Sequence, residues 1–331
     1  MSADSYGQVV RNTHRSRPNC PDGNQATVGL HKIIRENYMK KVLIVFTVIF
    51  SIQYAFAGHE PWVKTEYPQD KEKLWWDDDW WEKGKLDRPT TYEVKMEIIT
   101  YNNGAAEIPA YLFRPVKPGK YLPVLFQHGR RGLDDLTLLA PKRLAARGFV
   151  VLAPDVWSGR FFDRYPMSHD YISDSDVAKG IDALLELPDI LGNKACAVSH
   201  TRGGYMTLKA LVTHKRQEKK VSCYVSFYPH WQDPNKPEPM QVYQYAPEIN
   251  DLEVPVLVFF GEHEQYQRLR PIMEGIESLK QKGRNPQLII YPGVGRGFDF
   301  RPQHVRTFAD DLAAKDAIRR TELFIRSHLK Q

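Results

Sequence analysis

Between Tyr92 and Leu329 short apolar runs alternate with amphipathic stretches, and this alternation limits the chain to a small set of folds. Residues 92–100, 110–115, 123–128, 149–153, 195–198, 221–227, 256–260 and 287–291 have the length and composition of strands. The first two read as an edge hairpin closed through Asn102-Asn103-Gly104. Residues 138–147, 174–187, 203–213, 269–282 and 305–329 carry helical periodicity. In the second of these Ala178, Ile181, Leu184 and Leu185 share a face, and Pro188 is the stop. Buried strands linked by helices require crossovers. A mostly parallel α/β sheet of about eight strands, with helices on both faces, is therefore expected over residues 92–331. Such sheets bind ligands at the carboxyl ends of their strands.

The ends of the chain read differently. Met39-Lys40-Lys41 opens an almost wholly apolar run that closes on Ala55-Phe56-Ala57. A basic start, an apolar stretch short for a bilayer and a small-x-small end predict a signal peptide over residues 39–57, with an uncleaved anchor as the alternative. Export to the periplasm or outside the cell is then expected, with no other membrane association. Residues 1–38 are polar and unpatterned and read as an upstream extension, with Met39 the expected start. Residues 1–57 hold 7 of the 46 Lys+Arg and 3 of the 40 Asp+Glu, so residues 58–331 are nearly neutral and give no case for nucleic acid binding. Cys196 and Cys223 lie in apolar strand-like runs and are expected as buried free thiols rather than a bridge. No Cys/His spacing suggests a metal, no cofactor is expected, and the oligomeric state stays open. Residues 58–91 form an arm in which Trp75, Trp76, Trp80 and Trp81 flank Asp77-Asp78-Asp79; the indoles either pack over the domain or meet a partner.

The strand ends carry the functional signal. Ser199-His200-Thr201-Arg202-Gly203-Gly204 follows one strand and opens a helix, with small residues where a tight strand–helix turn needs them. His128-Gly129-Arg130-Arg131-Gly132, the 149–155 segment, Gly261-Glu262-His263-Glu264 and the loop 291–298 stand in an order that suits nucleophile, acid and base. Together these segments resemble the dienelactone hydrolase family of the α/β-hydrolase fold, from Tyr92 to the C-terminus. The resemblance implies an ester, thioester or lactone hydrolase with oxyanion donors at the backbone of Arg130 and Arg202.

The catalytic triad that the resemblance implies does not carry over intact. Its nucleophile, Cys or Ser, falls on Thr201, its Asp on Glu264 and its His on Arg296. A β-branched side chain suits a strained elbow poorly. A guanidinium, which stays protonated at neutral pH and has no acceptor nitrogen, cannot take the hydroxyl proton. Losing general-base help alone costs about 10²–10⁴-fold. Ser199, His200, His230, His263 and His304 are the candidates for a rescue.

The replacements suggest another use. Arg130, Arg131, Arg202 and Arg296, with His230, are expected around one mouth, where a helix N-terminus and guanidiniums suit a carboxylate or phosphate. Alternatively Arg296 simply pairs with Glu264. The expected protein is an exported, catalytically impaired member of this lineage that binds an anionic small molecule in the former active-site pocket. The alternative is an active carboxylic ester, thioester or lactone hydrolase with an altered triad, and a third reading gives the Trp-rich arm an assembly role.

Overall fold

The computed structural model describes Gly84 and residues 92–329 apart from 105, 164 and 167. The expected extension, the signal peptide and, Gly84 aside, the arm lie outside the described residues. Among those described, no helix is long and apolar enough to cross a membrane.

Eight strands form one sheet: β1 (Val94–Asn103), β2 (Ala106–Pro115), β3 (Leu122–Gln127), β4 (Phe149–Pro154), β5 (Ala195–His200), β6 (Val221–Phe227), β7 (Val256–His263) and β8 (Gln287–Gly295), in the order β1-β2-β4-β3-β5-β6-β7-β8. β1 and β2 pair antiparallel, β2 meets β4 antiparallel, and every later pairing is parallel. The hairpin turns at Gly104, whose φ of 65° lies in the left-handed region. β2 starts earlier than the expected 110 because its first residues continue the ladder with β1. All six residues of each of β3, β4 and β5 are buried, which is why these runs are continuously apolar rather than alternating.

Among the described residues five longer helices cover the sheet: α1 (Leu139–Ala145), α2 (Ile172–Leu185), α3 (Gly203–Leu211), α4 (Tyr266–Gln281) and α5 (Phe308–Leu329). α2 packs against α3 and against β1, β3 and β4, whereas α5 packs across β5 to β8 and against α1. The buried side of α2 carries Val177, Ala178, Ile181 and Leu184, while Leu185 is half-buried. Phe126, Phe149, Phe259 and Phe260 are fully buried in the core.

The cysteines correct the sequence reading. Cys196 of β5 stands opposite Cys223 of β6 in the parallel ladder, their Cα atoms 4.8 Å apart, and the two form a disulfide. Direct register between neighbouring strands puts both sulfurs on one face of the sheet, a fact that apolar context alone does not reveal.

Candidate active site

The elbow is built by β5 running straight into α3. Thr201 sits at the turn with φ 50°, an uncommon conformation for a β-branched residue and one that costs strain. Three backbone hydrogen bonds hold it: Thr201 N–H donates to Phe227 O at 3.1 Å, and Thr201 O accepts from His230 N at 2.8 Å and Gly204 N at 3.0 Å. Its side chain stands against the end of β3, since a Cβ on Gly129 would lie 1.6 Å from Thr201 Oγ1. Among the described residues that hydroxyl makes no hydrogen bond to a histidine. The Arg130 backbone N–H, expected as an oxyanion donor, likewise has no acceptor among them. The Arg202 N–H stands at the N-cap of α3.

None of the rescue candidates from the elbow itself reaches Thr201. Ser199 is buried and bonds Tyr224 Oη at 2.9 Å and Ser226 Oγ at 2.8 Å. The His200 ring turns into the core, 4.9 Å between centroids from both Phe126 and Phe227, with Nε2 3.3 Å from Asp299 Oδ2. Burial lowers its pKa, against the pull of Asp299, so it stays neutral. His263 and His304 are exposed.

The acid and base positions meet, but as an ion pair. Arg296 Nη1 lies 2.7 Å from Glu264 Oε1, and Nη2 donates to Tyr228 O at 2.7 Å. The guanidinium sits over the Tyr228 ring at 5.5 Å, and Glu264 also accepts from Gln265 N at 2.9 Å. The Glu264 side chain is 0% exposed and that of Arg296 20%, so the pair is a buried brace between the loops after β7 and β8. Arg296 does not line the pocket beside it.

That pocket, about 470 Å³, is lined by Arg130, Arg202, Arg268 and His230 together with His169, Tyr171, Tyr205 and Gln232, while Glu238 lies at its exposed rim. Arg131 is not among the lining residues; its guanidinium is held by Asp134, three residues on, which corrects the expectation that four neighbouring arginines converge. The third cation is instead Arg268, in the first turn of α4, whose Nη1 donates to Gln232 Oε1. Burial, with Arg130 adding repulsion, brings Arg202 down to about 10. Burial and then Arg296, Arg202 and Arg130 bring Arg268 to about 10, against Glu264. His230 is held well below the usual imidazole range by burial and then by Arg296, Arg268, Arg202 and Arg130. Among the described residues the buried Nε atoms of Arg130 and Arg268 have no hydrogen-bond partner. Among the described residues no cluster of His, Cys, Asp and Glu could hold a metal ion.

The dienelactone hydrolase family pattern matches residues 108–329. The chain belongs to that family. A Synechocystis sp. protein named "Putative carboxymethylenebutenolidase" is 23% identical over 257 residues, 72% of this chain and 100% of its own. A Bradyrhizobium sp. protein named "Probable 2-oxo-3-(5-oxofuran-2-ylidene)propanoate lactonase" is 23% identical over 251 residues, 72% of this chain and 97% of its own. A solved structure of a dienelactone hydrolase-like promiscuous phosphotriesterase, P91, from metagenomic libraries superposes with a TM-score of 0.53 at 17% identity, covering 71% of this chain and 98% of that one. The structural likeness establishes the same fold.

In this family member the pocket-lining His169 and its carboxylate partner escaped the sequence reading. His169 pairs with Asp174, Nε2 lying 3.1 Å and 3.3 Å from the two carboxylate oxygens. Burial pushes Asp174 up to about 6, a rise moderated by His169 and Lys209. Because its folded-state pKa is raised, stability linked to Asp174 is full below the unfolded carboxyl value near 3.8 and is lost as pH climbs through about 6. Asp174→Asn should therefore be more stable than the parent at pH 7, by up to about 3 kcal/mol, with the difference vanishing below about pH 4. Thermal melts of both proteins across this range check it.

Proposed function

We propose that this dienelactone hydrolase family member binds a small carboxylate- or phosphate-bearing molecule in the elbow pocket, and that Thr201, Glu264 and Arg296 no longer run the family's hydrolysis. The observation that carries the reading is the convergence of Arg130, Arg202 and Arg268 on one pocket beside a neutral His230. Three guanidiniums held close enough to repel one another gain most from an anion that bridges them, and Arg forks suit carboxylate and phosphate oxygens. Arg296 supports the same reading from the other side. Committed to Glu264 and Tyr228 O, it can neither accept a proton nor swing to the substrate. The name of the Bradyrhizobium relative describes a propanoate, a lactone that carries a carboxylate. The leader over residues 39–57 would place this pocket outside the cytoplasm.

Calorimetric titration with succinate and with phenylphosphonate tests the binding. Saturable binding is expected, weakened by added salt and by at least about tenfold in Arg268→Gln, as loss of one charge-assisted contact implies. Equal affinity in the variant and the parent, or no binding at millimolar ligand, would remove the proposal's basis.

A further inference from the structure

The His169–Asp174 pair has the construction of an oriented base. A carboxylate only accepts, so Nε2 must carry the proton that bridges to Asp174, which leaves Nδ1 with its lone pair. The imidazole plane is fixed by edge-to-face contacts with Tyr171 at 4.9 Å and Tyr205 at 4.7 Å. Both partners are nearly enclosed, with His169 6% and Asp174 1% exposed at the side chain, yet His169 lines the arginine pocket. The segment before it is tied to the elbow: Arg202 Nη1 donates to Pro166 O at 2.7 Å and Ser168 O at 3.0 Å. The segment that carries His169 is thus hydrogen-bonded to one of the anion anchors. Around the pair stand Tyr171, Tyr205, Lys209 and Glu248, the last two bridged at 3.1 Å.

We propose that His169, oriented by Asp174, is the general base of a relocated reaction centre, which delivers water to the ester or lactone carbonyl of a substrate anchored by its anionic group on Arg130, Arg202 and Arg268. The inference rests on the anion reading of this pocket. In the step, a water O–H bond breaks and its proton passes to His169 Nδ1 as the oxygen bonds to the carbonyl carbon. The carbonyl carbon–alkoxy oxygen bond then breaks, and the leaving alkoxide takes the proton back from the imidazolium. Ester and water become acid and alcohol, with no covalent enzyme intermediate. Asp174 remains ionised and stabilises the imidazolium, as a positioning residue.

The test uses the full chain and mono-p-nitrophenyl succinate, an ester with a free carboxylate, with succinate binding measured in parallel. The parent should hydrolyse this probe. His169→Gln should lower kcat at least about 100-fold while succinate affinity stays within about twofold. Asp174→Asn, whose fold is expected to be secure at neutral pH, should lower kcat, and Asp174→Glu should restore part of the rate. Arg131→Ala, at a side chain committed to Asp134 outside the pocket, should match the parent. Turnover that survives His169→Gln overturns the proposal, as does an inert parent that nevertheless binds succinate. If succinate does not bind at all, the anion reading fails, and this inference with it.

Discussion

Replacing Arg296 by Ala should destabilise the protein by about 3 kcal/mol, the scale at which breaking a buried pair leaves one charge uncompensated. Glu264 is 0% exposed at the side chain, and its second oxygen, Oε2, already lacks a hydrogen-bond partner among the described residues. Removing the guanidinium would leave the carboxylate with only the Gln265 N–H and would also free Tyr228 O, the carbonyl one residue beyond the Phe227 that anchors Thr201. Arg296 is 20% exposed, so solvent moderates the loss, and the lower end of the buried-pair range is the appropriate one. Glu264→Gln combined with Arg296→Met should recover most of the stability, because it removes both charges. Denaturant melts of the single and double variants provide the cycle. A cost below about 1 kcal/mol in Arg296→Ala would mean that the pair is no more than a surface contact.

Gly203→Ala should be still more damaging, by about 4 kcal/mol or more. A Cβ there would lie 2.4 Å from His128 O and 2.6 Å from Gln127 O, both backbone atoms of the strand end beside the elbow. Neither can move without displacing β3 or the start of α3, and either shift would carry Thr201 with it. Expression of folded protein and a denaturant titration read the effect, and a stable variant with an unchanged melting curve would show that the elbow packs less closely than this geometry requires.

The same glycine makes the elbow visible in the sequence alone. Tight crossing of strand and helix demands missing side chains at fixed spacing, so Gly203 and Gly204 report the turn locally, as the continuous apolar runs report the central parallel strands. Side-chain partnerships are less legible. Glu264 and Arg296 lie on loops whose juxtaposition follows from the fold, so their pairing could be anticipated as an alternative. Arg268 could not, because it sits inside a helix with no motif around it, and only the approach of α4 to the elbow brings it to Arg202 and His230. Arg131 went the other way, captured by Asp134 within one turn of chain. The cysteine bridge depends on the register of β5 against β6, which composition does not encode. His169 and Asp174 lie in a loop and at the start of a helix, where a lone histidine carries no signal until its carboxylate partner and its pocket are known.

Whether Thr201 still serves as the nucleophile of a working triad is tested most directly by p-nitrophenyl acetate turnover in the parent and in Thr201→Ala. Acetate esters carry no anion for the arginine pocket and so probe the elbow alone. With the base position occupied by a braced Arg296, no Thr201-dependent turnover is expected, and the two proteins should release p-nitrophenol at the same rate. Turnover in the parent that Thr201→Ala abolishes would contradict the loss of the triad, and would return this chain to the active hydrolases of its family.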